Sequence, residues 1–128
     1  MTCALTVFKS NEGHPITTTA NPNRIRVTVG GQVVAETTWG ISLREAFYPT
    51  VLYVPMADVD QELIQRTEHT TYCPYKGEAS YYSIPIGGAK SRNAIWTYEN
   101  PHAAVAVLQH YVAFDANKVD SIEELPEA

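Results

Sequence analysis

The sequence predicts a mainly β domain, a β-rich α+β fold of antiparallel sheets with one C-terminal helix and a short helical turn. Three observations carry that expectation. Several short runs alternate apolar and polar residues with a period of two. Gly, Pro and Asn clusters separate these runs at hairpin spacing. Only one stretch repeats its apolar residues at helical spacing.

Residues 1–23 read as extended and irregular, closing on the turn cluster Asn21-Pro22-Asn23. In Arg24-Ile25-Arg26-Val27-Thr28-Val29, the apolar residues share one face and the polar residues the other. Gly30-Gly31 follows, then Gln32 to Thr37. Two β runs joined by Gly-Gly form a tight hairpin, because glycine accepts the positive φ of a primed turn. Trp39, Ile41, Leu43 and Glu45 make the next alternating set, all on one face if the strand spans them. Val51 to Val54 is a strand stopped by Pro55. Met56 to Ile64 has room for a helical turn or two.

Thr70 to Cys73 and Ala79 to Ile84 are β runs joined by a loop, Pro74 to Glu78. Ile84-Pro85-Ile86-Gly87-Gly88 is similar to Val27-Thr28-Val29-Gly30-Gly31, which suggests a second hairpin with an edge strand at Pro85. The single helix begins at Asn100 and Pro101 and carries Ala104, Val105, Leu108, Tyr111 and Val112 on one stripe. Short β pieces at Val112 to Phe114 and at Val119-Asp120 close the chain.

At 128 residues the chain is one domain, with its core over about 13–120 and flexible ends at 1–12 and 121–128. A chain of this size buries roughly two-thirds of its unfolded surface. The net charge is −5, and the nine Lys and Arg are scattered. That disfavours duplex nucleic acid as a partner, since such binders carry a basic face. Eight Tyr and two Trp leave single-strand stacking open. No apolar run reaches membrane-spanning length, and the first residues lack a leader's apolar core. Two cysteines make no disulfide framework, so a reduced, cytoplasmic setting is expected.

The segment from His69 to Tyr82, HTTYCPYKGEASYY, resembles the signature of the family called domain of unknown function 427. Gly13 to Ile16, Arg24 to Val27, Leu43 to Glu45, Asn93 to Tyr98 and Tyr111 to Phe114 fit in the same order. The resemblance covers roughly residues 13–120. It implies compact, tent-like antiparallel sheets similar to those of zinc-ribbon relatives, with one or two short helices. The family is sometimes labelled nucleotidyltransferase-like, but metal-dependent transfer needs paired carboxylates beside a phosphate loop. The sequence has no such loop. Asp58-Val59-Asp60 falls on the expected helical turn, where residues two apart do not face each other.

The candidate catalytic residues are Cys73, Glu45 and His69. Cys73 reads either as a thiol activated by nearby Lys76 or as a small buried hydrophobe. His69 and Cys73 on one strand would stand roughly 13 Å apart, too far for a dyad or a zinc pair without a sharp bend. No CxxC or HxxxH spacing supports a metal, and neither metal nor cofactor is expected. Glu45 continues an apolar face. It is a pocket acid with a raised pKa, an ion-paired structural carboxylate, or an exposed strand end. Lys76 beside Glu78 is an anion binder or a solvated, self-neutralising tip.

Glu45, Thr71, Cys73, Lys76, Tyr81 and Trp96 are the candidate ligand contacts. They would form a small-molecule pocket around the His69–Tyr82 hairpin, with any reaction left open. Two other readings stand beside it: an interaction or assembly module without chemistry, self-association included, and a thiol redox role for Cys73.

Overall fold

The computed structural model describes residues 15–127. Ten strands account for most of them: β1 (Ile16–Ala20), β2 (Arg24–Val29), β3 (Gln32–Thr37), β4 (Ile41–Glu45), β5 (Val51–Pro55), β6 (Gln65–Cys73), β7 (Gly77–Ser83), β8 (Ile95–Thr97), β9 (Tyr111–Phe114) and β10 (Ser121–Leu125). Seven of them form one sheet in the order β1-β4-β5-β9-β8-β7-β6, and three form a second in the order β10-β2-β3. Every ladder is antiparallel. The fold is mainly β, as the alternation required.

Alternation along the central strands divides the interior in two. Val54, Ile95, Val112 and Phe114 point toward the small sheet and meet Ile25, Val27, Val29 and Val34. Their neighbours Tyr53, Trp96 and Ala113 point the other way, into a second core with Leu43, Cys73, Tyr81 and Tyr98. Successive residues of a strand face opposite sides, so each central strand serves both cores. The Gly30-Gly31 hairpin is present, with φ of 59° and 80° at the two glycines.

Several local expectations give way: Ile16–Ala20 is a regular strand within the stretch read as irregular, Val119-Asp120 is a bend before β10 rather than a β piece, and four larger differences follow. The helix over 100–112 is instead a short 3₁₀ run, Ala103–Leu108, broken at Val105 (φ −127°, ψ 31°). His110, with φ 69°, then turns the chain into β9, which claims Tyr111 and Val112. Pro85 opens a 3₁₀ segment rather than an edge strand, so the second glycine pair makes no hairpin. Trp39 lies outside β4 and is 75% exposed, because the strand begins only after Gly40. The acidic tail is not frayed over 121–125. It is strand β10, paired along β2 with Glu123 opposite Arg26, and Ile122 packs on the core. The ladder to β2, a hydrogen bond from Asn21 Nδ2 to Glu124, the Arg24–Glu127 ion pair and one apolar contact hold a segment whose composition alone suggests a loose end.

Candidate functional site

Glu45 ends β4 with its side chain turned inward, in step with Ile41 and Leu43. Its partner comes from the β6–β7 turn. Lys76 is fully buried there and donates from Nζ to Glu45 Oε1. The turn itself is held from both sides. Lys76 N donates to the Cys73 carbonyl at 3.2 Å, and the Lys76 carbonyl accepts from His102 N at 2.9 Å. Gly77 follows with φ 118°, and a Cβ there would lie 3.2 Å from the Asn100 carbonyl oxygen. Only glycine fits that backbone and that approach.

Lys76 is therefore not the solvated tip that its neighbour Glu78 suggested. Burial pushes its pKa down, and the hydrogen bond it donates to Glu45 opposes that shift. The ammonium also lies 6.0 Å from the centre of the Tyr98 ring. Tyr98 is fully buried, and its hydroxyl has no hydrogen-bond partner. Burial raises the phenol pKa of Tyr98, Tyr53 and Tyr81.

The structure brings most of the sequence candidates into this one cluster. Cys73, Tyr81 and Trp96 pack in the same core as Tyr53 and Tyr98. Trp96 Nε1 donates to Tyr53 Oη at 3.2 Å, and Thr71 Oγ1 meets Tyr81 Oη at 2.9 Å. His69 stands apart. It is exposed, with its ring centre 4.5 Å from that of Tyr81 in an edge-on arrangement, in a shallow polar hollow shared with Arg66, Arg92 and Asn93. Asp58 and Asp60 serve separate structural ends: Asp58 accepts from Thr37 Oγ1 at 2.6 Å, and Asp60 caps the turn at Glu62 N.

Cys73 is fully buried and disulfide-bonded, which differs from the reduced thiol expected. The chain's other cysteine, Cys3, lies outside the described residues. An activated thiolate needs exposure and a free sulfur. In native, unreduced protein, Cys73 should thus resist alkylation at all pH values that preserve the fold. Rapid labelling without reductant, located at Cys73 by peptide mapping, would restore the thiolate reading.

The cluster is closed, so it cannot itself receive a ligand without opening. Open space adjoins it at Trp96. A cleft of about 430 Å³ lies where the two sheets meet, lined by Val51, Leu52, Trp96, Phe114, Asp115 and Ile122 among others. Sequence reasoning found Trp96 and missed the rest. They come from β5, β9 and β10 and the turns beside them, and no local pattern links those segments. Among the described residues, no three His, Cys, Asp or Glu side chains converge as a metal-binding group. No helix among them is long and apolar enough to cross a membrane.

No curated protein matches the chain. Residues 17–125 match the sequence profile of the family described as domain of unknown function (DUF427), which spans both sheets and the buried cluster, and the chain belongs to that family.

Proposed function

We propose that the domain binds a small, flat, largely apolar molecule in the cleft between its sheets, with Trp96 as part of the wall. The observation that carries this reading is the lining. Val51, Leu52, Phe114 and Ile122 supply apolar surface, and Thr50, Asp115 and Asn117 supply a few polar groups. Small ligands are held in concave, mostly apolar sites of roughly 300–1,000 Å³ with a few fixed polar groups. Asp115 caps its turn through Oδ1, which accepts from Asn117 N at 2.9 Å. Its second oxygen is left to accept from a ligand.

On this reading Glu45, Thr71, Cys73, Lys76 and Tyr81 stand behind the wall. They act on the ligand only by fixing the sheet that carries Trp96, which is tied to Tyr53 from within. The reading is one of binding, because the buried cation and carboxylate have no path to a substrate in the closed cluster.

Trp39→Phe leaves Trp96 as the sole indole reporter. Titrating that variant with nucleotides, flavins and other flat metabolites should give at least one saturable change in emission, with a matching rise in Tm. Phe114→Ala should weaken that binding by roughly tenfold, as expected for one apolar contact. A panel that produces neither a saturable change nor a thermal shift would sink the proposal.

A further inference from the structure

The two edges of the large sheet are finished differently. At one edge, β6 carries Arg66 and Glu68, and its register with β7 shifts between Arg66 and Thr70. Charge and irregularity of this kind stop a sheet edge from pairing with another chain. At the other edge, β1 reads Ile-Thr-Thr-Thr-Ala, with no charge, no proline within the strand and no bulge. Its register with β4 is unbroken from Ile16 to Ala20.

The direction of the β1 backbone groups follows from its flanks. The Pro15 carbonyl accepts from Ala46 N at 2.9 Å, and Asn21 N donates to the Gly40 carbonyl at 2.8 Å. Both odd-numbered positions therefore face β4. By antiparallel alternation, Thr17 and Thr19 also face β4, while Ile16, Thr18 and Ala20 turn their N–H and C=O groups outward. No other described strand pairs with that side.

We propose that β1 is a self-association edge, pairing antiparallel with β1 of a second copy about a twofold axis through Thr18. That register sets Thr18 opposite Thr18, Ile16 opposite Ala20 and Thr17 opposite Thr19. Each outward N–H of Ile16, Thr18 and Ala20 then meets a carbonyl of the other copy. Each cross-strand pair is Thr with Thr or Ile with Ala, so no like charges oppose one another despite the net charge of −5. An isologous contact demands such self-complementarity.

A second feature favours another copy as the occupant. Beside the Ala20 end of β1 lies a hollow of about 480 Å³ lined by Trp39, Val107 and Tyr111, with Trp39 75% and Val107 49% exposed. The twofold register brings the second copy's Ile16 to Ala20, at the rim of this hollow. Ile16 packs against the core on the sheet face that also carries Ile41, which lines the hollow. A single short strand pair falls at the low end of interface sizes, so the dimer is weak and concentration-dependent.

Sedimentation velocity across a wide concentration series should show a monomer shifting reversibly to a dimer. Thr18→Pro removes one outward N–H and leaves the bonds to β4 intact, so it should remain folded by circular dichroism and stay monomeric throughout. Thr18→Lys should do the same by opposing two charges. Thr18→Cys should form a covalent dimer under mild oxidation, while Thr17→Cys should not, because its partner in this register is Thr19. A wild-type protein that stays monomeric throughout overturns the proposal. So does a dimer that survives both Thr18→Pro and Thr18→Lys. Cross-linking by Thr17→Cys in place of Thr18→Cys would overturn the register.

Discussion

Replacing Lys76 by Met should destabilise the domain by about 3–5 kcal/mol, and replacing Glu45 by Leu should do nearly the same. In a domain of this size that is a fall in Tm of roughly 10–20 °C. Each single change leaves one charge in a core where both side chains are at most 1% exposed. Neither charge can then regain water without opening the β6–β7 turn. The double variant, Glu45→Leu with Lys76→Met, should recover most of the loss, because two apolar side chains of similar volume replace a pair whose desolvation nearly cancels its attraction. Urea unfolding of the four proteins closes the cycle, with an expected coupling of a few kcal/mol. Single variants that lose less than about 1 kcal/mol would mean that the pair is solvated.

The same cycle separates two roles for these residues. If Glu45 and Lys76 touch the ligand, the double variant loses binding although its fold is restored. If they brace the sheet behind Trp96, the restored fold restores affinity in the cleft. We expect the second result, because neither side chain lines the cleft.

The inward aim of Glu45 was legible in the sequence, since it continues the phase of Ile41 and Leu43. Its partner was not. Lys76 is 31 positions away and sits beside Glu78, so local charge balance suggested a tip in water. Only the closure of β4, β5, β9, β8 and β7 into one sheet brings the turn over the carboxylate. The β2–β3 hairpin was legible because its signal is local: alternation on both sides of two glycines. The helix over 100–112 misled because apolar spacing records which side chains are buried, not the backbone that buries them. Val105 and Leu108 are buried as the stripe required, but a kinked 3₁₀ run places them there, and His110 turns the chain before a helix can lengthen. The cleft was illegible for a related reason. It is assembled at the ends of strands from different sheets, and periodicity says nothing about which ends meet.

Alkaline pH should unfold the protein cooperatively. Tyr53 and Tyr98 are fully buried and Tyr81 nearly so. Burial raises all three phenol pKa values above the ordinary 10.0. Above pH 10 the unfolded chain releases phenolic protons that the folded chain keeps. The stability tied to these rings is therefore fully present below pH 10 and is lost as pH climbs toward the raised values. Each ring costs about 1.4 kcal/mol per pH unit in that window. Tyr53 and Tyr98 together cost about 3 kcal/mol per unit, and Tyr81 adds in the same direction. Lys76 works with the opposite sign. Its pKa is lowered, chiefly by burial, so between that value and 10.5 the unfolded chain binds a proton that the folded chain does not. Its contribution rises with pH up to 10.5 and is then constant, which softens the tyrosine loss at first and leaves it unopposed afterwards. Two pH units above 10, the loss approaches about 6 kcal/mol, comparable with the whole stability of a small domain. Phenolate absorbance of the buried rings should accordingly appear together with the loss of β circular dichroism. Tyr98→Phe should reduce the slope by about 1.4 kcal/mol per pH unit. At neutral pH it should be at least as stable as the parent, because the hydroxyl it removes is buried without a hydrogen-bond partner. Gradual titration of all the tyrosines near pH 10, with the fold intact, would mean that these rings reach water and that the closed cluster opens readily.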